Sequence, residues 1–252
     1  MSGVKGRIDV LSVGFDDIKT DQAVSRAWGI IESYNDNKRC TNAYIVTPNP
    51  EIVWMARRND TLKTAINKAG IVLPDGIGIV LGARILGTPL RGGRVPGIDF
   101  ITVLFEKMAV SGGTVFLLGA KHGVAEEAGK RLAERYPGLI IAGVMNGYFT
   151  DSEPVIKMIN AANPDLLLVC LGAPKQELWM AENIDRLNVG LCAGLGGALD
   201  VFAGNTKRAP VIFRKLGLEW LYRIIREPRR IKRSIKLPLF ALAVLWKRLR
   251  SL

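Results

Sequence analysis

Residues 163–180, NPDLLLVCLGAPKQELWM, constrain the fold of this chain more than any other stretch. Residues 165–171 hold six apolar side chains and no internal charge, which is the length and texture of a buried strand. A Gly-Ala-Pro turn follows, and then a polar segment opens a helix near Pro174, where the missing N–H of proline costs nothing in the first turn. A strand that runs straight into a helix N-terminus builds the edge at which open α/β sheets take ligands, with N–H groups aimed at anions. Lys175, Gln176 and Glu177 fall in that first turn. They are either ligand-facing or an ordinary polar helix start, and the corner alone does not choose.

The rest of the chain repeats the alternation. Apolar runs predict strands at 8–13, 42–47, 71–73, 114–118, 139–142 and 189–193, and 3.6-residue spacing predicts helices between them. A βαβαβαβ order implies a parallel, Rossmann-like α/β core. At 252 residues the chain can bury a full core, as one large body or as two packed lobes at 1–110 and 111–207.

Several corners carry polar residues. The strand at 42–47 ends in TPNPE, so Thr47 stands at a strand's carboxyl end and Asn49 is a good N-cap ahead of Pro50. The strand at 71–73 runs into PDGIGIV, and the helix over 76–86 is so uniformly apolar that it is expected to be buried. Asp75 at its mouth reads first as a helix cap, worth about 0.3–1 kcal/mol, and only second as an acid at a ligand site. The loop GTPLRGGRVPGIDF carries Arg91 and Arg94 and suits a phosphate clamp or a solvated connection. Gly194, Gly196 and Gly197 permit close backbone approach to a phosphate or sugar, but their spacing is not the dinucleotide fingerprint.

Charge is concentrated at one end. Residues 208–252 hold 13 Lys and Arg against two acids, leaving 22 against 21 for the first 207. The body is therefore nearly neutral and the tail carries the field. Aromatic residues do not interleave with the basic ones as a nucleic-acid stacking platform requires, so no nucleic-acid partner is expected. Cys40, Cys170 and Cys192 are too widely spaced for a disulfide or zinc framework, and the single His122 excludes a multi-histidine metal site. No secretory cleavage pattern follows the first residues, which fits a reducing cytoplasm.

The motifs TPNPEIVWMARR, LPDGIGIV, RVPGIDF, LGAPKQELWM, GGALDVFAGNTKRAP and GLEWLYRIIREPRR occur in order, and together they resemble the WecG/TagA/CpsF glycosyltransferases, glycosyltransferase family 26. The likeness covers residues 8–233. It implies an inverting enzyme that moves a sugar, commonly N-acetylmannosamine or its uronic acid, from UDP to an undecaprenyl-diphosphate-linked saccharide for wall teichoic acid, common antigen or another surface polysaccharide. It also implies Asp75 as general base with Thr47 beside it, Asn49, Arg94 and Gln176 lining the same pocket, and Arg223, Arg230 and Arg233 closing over the diphosphate. The chain carries no Asp-x-Asp metal motif, so no cofactor or metal is expected and arginines and helix N-termini are expected to stabilise UDP. A nucleotide-sugar-binding protein without turnover is the alternative.

The tail, a basic helical appendage over 208–252, has a place in that scheme. After a run of cations at 229–236, Pro238 opens LPLFALAVLWKRL, whose ten-residue apolar part is half of what a spanning helix needs, about 20. It reads as an interfacial helix with Trp246, Lys247, Arg248 and Arg250 at anionic headgroups, peripheral to the inner membrane face. The alternative is packing on its own body or in a homo-oligomer.

Overall fold

The computed structural model describes residues 6–37, 43–226 and 235–251. Its centre is a six-stranded sheet, all parallel, built from β3 (Tyr44–Val46), β4 (Ile71–Val72), β5 (Thr114–Gly119), β6 (Ile140–Met145), β7 (Leu166–Cys170) and β8 (Leu191–Gly194). The spatial order is β4-β3-β8-β7-β5-β6. Pairing of β3 with β8, with Tyr44 opposite Cys192 and Val46 opposite Gly194, joins the first and second halves of the chain in one sheet.

Helices cover both faces, which is why β7 shows no polar alternation. Leu167 and Val169 point into one apolar layer, with Ile52 and Ile66 from α2 (Pro50–Ala56) and α3 (Asp60–Lys68). Leu166 and Leu168 point into the other, with Ile31 of α1 (Thr20–Asn37) and Leu104 and Phe105 of α5 (Gly97–Ser111). The remaining body helices are α4 (Ile77–Ile85), α6 (Val124–Arg135), α7 (Glu153–Ala162), α8 (Lys175–Asn183) and α9 (Ala198–Phe202).

Two expectations are corrected. The first expected strand, at 8–13, is instead an antiparallel hairpin outside the main sheet, β1 (Ile8–Val10) and β2 (Val13–Phe15). Leu11 and Ser12 form its tip at φ 56° and 73°, a conformation usually supplied by Asn-Gly, so the turn carried no sequence signal. Helix α4 is not buried all round: Leu81 is 48% and Ile85 41% exposed, because that face borders a cavity rather than the core.

The tail adds α10 (Val211–Lys215), α11 (Glu219–Arg226) and α12 (Lys236–Leu249). Helix α12 docks on α2 and α4 through buried Phe240, Ala243 and Val244. The approach is close at Gly82, where a Cβ would stand 3.1 Å from the Phe240 ring. Lys236 pairs with Glu51 at 3.1 Å and Lys247 with Asp9, so ion pairs hold both ends. The opposite face leaves Leu242, Leu245, Trp246 and Leu249 exposed. No helix among the described residues is long and apolar enough to cross a membrane.

Candidate active site

The carboxyl ends of β4, β3 and β8 meet at one edge of the molecule. Thr47 follows β3 and its hydroxyl donates to the Gly194 carbonyl at 3.4 Å, tying the two strand ends together. Asn49 caps α2 as its residue type predicts: its Oδ1 accepts from the Ile52 N–H at 3.0 Å, with Pro50 at N1. Beyond β4, Leu73 and Pro74 bring Asp75 beside this loop, where its N–H reaches the Pro48 carbonyl at 3.4 Å. Gly76 turns the corner at φ +95° and is itself the N-cap of α4, with no side-chain cap bond. Asp75, the residue before this N-cap, lines a cavity.

That cavity encloses about 410 Å³. Its polar lining is Asn49, Glu51, Asp75, Arg94, Arg208 and Glu219. Arg94 spans two partners in α10 and α11: Nη1 donates to Glu219 Oε2 at 2.8 Å and Nη2 to the Arg214 carbonyl at 2.8 Å. Arg208 pairs with Asp99 at 2.6 Å and stands 3.8 Å from the other Glu219 oxygen. One carboxylate from the tail therefore lies between two guanidinium groups, in the position a bidentate anion takes. Arg91, the other arginine of the same loop, is exposed and does not line the cavity.

Among the residues singled out from sequence, the cavity brings together Asn49, Asp75 and Arg94. Thr47 and Gln176 stand behind it. Gln176 is 2% exposed, accepts from the Gly196 N–H at 2.9 Å and donates to Glu177 Oε1 at 2.9 Å, so it holds the glycine-rich loop after β8. Its neighbour Glu177 is equally buried, Oε2 has no hydrogen-bond partner, and burial pushes its carboxyl above the usual range. Arg223 lies in α11, whereas Arg230 and Arg233 fall outside the described residues. Arg208 and Glu219 were not foreseen. Arg208 lies within the TKRAP motif, but nothing local marks it as facing Glu219.

A second crevice opens between the carboxyl ends of β5 and β7, lined by Tyr148, Phe149, Leu171 and Lys175. The crossover from β5 leads to β6 on one side and that from β7 to β8 on the other, which makes this the topological switch point of the sheet. Lys175 donates to the Gly147 carbonyl at 3.0 Å and lies over the Phe149 ring, and His122 stacks on Tyr148.

Residues 8–252 match the glycosyl transferase WecG/TagA/CpsF family. A Bacillus spizizenii protein called N-acetylglucosaminyldiphosphoundecaprenol N-acetyl-beta-D-mannosaminyltransferase is 39% identical over 203 residues, covering 81% of this chain and 79% of its own. A Staphylococcus aureus protein of the same name is 38% identical over 235 residues, covering 93% and 90%. With a matched span that takes in the sheet, the cavity and the tail, the chain belongs to the WecG/TagA/CpsF glycosyltransferase family.

Proposed function

We propose that this chain is a hexosyltransferase that moves N-acetylmannosamine from a UDP donor, with inversion, to N-acetylglucosamine linked through a diphosphate to a polyprenol, in the assembly of a wall teichoic acid type linkage unit. The observation that carries the reading is the cavity itself: its polar lining holds the carboxylates of Asp75, Glu51 and Glu219 and the guanidinium groups of Arg94 and Arg208, with apolar walls beyond. Inverting transfer needs one base to take the acceptor hydroxyl's proton as that oxygen attacks the anomeric carbon, and we assign that role to Asp75, which lines the cavity. Arg94 and Arg208 put positive charge where phosphoryl oxygens must come, which lowers the barrier for a departing diphosphate without a metal ion. Thr47 keeps the β3 and β8 ends in register, Asn49 braces the loop facing Asp75, and Gln176 holds the glycine loop over which the donor passes. The switch-point crevice at Tyr148 and Lys175 suits the nucleoside. From there to the end of β3 is about 12 Å of strand spacing, a span for a diphosphate and a sugar.

Residues 1–207 form the catalytic body and 208–252 the appendage. Arg223, Arg230 and Arg233 come from the appendage to the acceptor diphosphate, and the exposed face of α12 with its flanking cations rests on anionic lipid at the inner face of the membrane.

The test is incubation with UDP-N-acetylmannosamine and a diphosphate-linked N-acetylglucosamine acceptor, with mass detection of the product. One added N-acetylhexosamine, formed equally in EDTA, is expected. Formation from UDP-N-acetylmannosaminuronic acid or UDP-glucose instead would replace the donor, and loss in EDTA with rescue by magnesium would overturn the metal-free route.

A further inference from the structure

The apolar part of the cavity has a direction. Helix α4 begins two residues after Asp75 and lines the cavity with Ile77, Gly78, Leu81, Gly82 and Ile85, a single stripe at helical spacing. From Ile77 to Ile85 the stripe extends about 12 Å. The facing wall is the matching stripe of α12, with Leu237, Phe240, Ala241 and Val244, and Trp220 and Ile224 of α11 complete it. Gly82 lets Phe240 and Val244 approach closely enough to close the floor. The result is one cavity in which Asp75 and the paired groups Arg94, Arg208, Glu219 and Glu51 make the polar lining and an apolar channel follows α4 away from Asp75.

We propose that this channel between α4 and α12 holds the first isoprene units of the acceptor's polyprenyl chain. The inference rests on the proposed function and adds the place where the lipid is read. The occupant follows from the chemistry of the two ends. A ligand that brings a hydroxyl to Asp75 and, beyond its own diphosphate, continues as a single hydrocarbon chain matches both the polar and the apolar lining, with Arg94 and Arg208 left to the departing diphosphate of the donor. A water-soluble sugar acceptor leaves the channel unfilled. The distal residues Leu81 and Ile85 are half exposed, and the outer face of the same α12 carries Leu242, Leu245, Trp246 and Leu249, so the rest of the chain passes from the channel to an apolar surface. Helix α12 thereby serves twice, as channel wall and as membrane face.

The test uses two acceptors with the same diphosphate-linked N-acetylglucosamine head, one carrying a farnesyl chain and one a methyl group, without detergent or membrane. The parent is expected to show a KM at least tenfold lower for the farnesyl acceptor. Ala241 lines the channel while remaining exposed, so Ala241→Trp fills it without disturbing the core. It should raise the farnesyl KM at least tenfold and move the methyl KM less than twofold. Leu81→Gln, a change of polarity at nearly constant size, should do the same more weakly. A parent that does not distinguish the acceptors, or variants that shift both equally or neither, would overturn the channel. A photoreactive farnesyl diphosphate gives a readout without turnover and is expected to label the 77–85 and 237–244 peptides, with no labelling there counting against the proposal. Labelling on both helices with no sugar transfer supports the channel and refutes the enzyme reading. Transfer without chain-length discrimination refutes the channel alone.

Discussion

Strand β7 and helix α12 are both predominantly apolar segments, and the molecule treats them oppositely. All five residues of β7 are buried, packed on both faces by helices that the same body supplies. Helix α12 buries Phe240, Ala243 and Val244 and leaves Leu242, Leu245, Trp246 and Leu249 in contact with solvent. The apolar surface of β7 is satisfied within its own body, whereas α12 covers one face and leaves the other uncovered. An exposed apolar face flanked by cations marks a surface that something else covers. The division also follows charge, since the nearly neutral body holds the acid and the tail holds the excess of positive charge. In the proposed reading, chemistry resides at the strand ends and lipid handling in the tail, with the cavity as their shared boundary.

The contrast can be broken by substitutions on either side of that boundary. Arg94→Ala should give the largest loss among them, about 10²-fold in kcat/KM, because a preorganised charge at the polar end is removed together with the tie to α10 and α11. Arg94→Lys should recover little of it, since an ammonium group cannot span two partners as the guanidinium does. A loss below threefold would show that the charge is supplied elsewhere. On the lipid side, Leu242→Asp combined with Trp246→Ala should weaken binding to vesicles containing anionic lipid at least tenfold, measured by co-sedimentation. The double variant should leave the thermal midpoint nearly unchanged, because both side chains are exposed. Unchanged vesicle binding would assign the face to another occupant.

Two smaller effects sharpen the picture. Glu219 holds Arg94 at 2.8 Å, so an incoming diphosphate competes with it. Glu219→Gln should tighten UDP binding severalfold, read by calorimetry, and weaker binding would make the carboxylate part of the ligand site. The smallest effect concerns Glu177, whose carboxyl is raised by burial. The folded state then holds its proton more tightly than the unfolded chain. This group favours folding below the ordinary carboxylate range and opposes it as pH rises through that range to the raised value. Glu177→Gln should gain stability relative to the parent as pH increases across that window, and a difference independent of pH would contradict the assignment.

Much of the body was legible because apolar runs mark the buried strands of the sheet, as at β7, and a cap residue marks the start of helices such as α2. Asn49 ahead of Pro50 is the plainest case, and the structure shows the cap bond expected of it. The hairpin was missed because Leu11 and Ser12 adopt left-handed angles that neither residue type advertises. The burial of α4 was misjudged because hydrophobicity says that a face avoids water, not that protein covers it. Asn49, Asp75 and Arg94 meet in one cavity, but their partners were beyond local reading. Glu219 contacts Arg94 across 125 residues, and Gln176 reaches Gly196 across 20, neither with a pattern in the intervening chain.

The most direct measurement is acceptor-dependent release of UDP from UDP-N-acetylmannosamine by the parent and by Asp75→Asn. The variant keeps the size of the side chain at a position where Gly76, not Asp75, caps the helix, so the fold should persist by circular dichroism. With Asp75 as the base, the parent turns over only when acceptor is present and the variant is at least a hundredfold slower with UDP binding intact. A folded variant that works within a few fold of the parent would contradict that assignment.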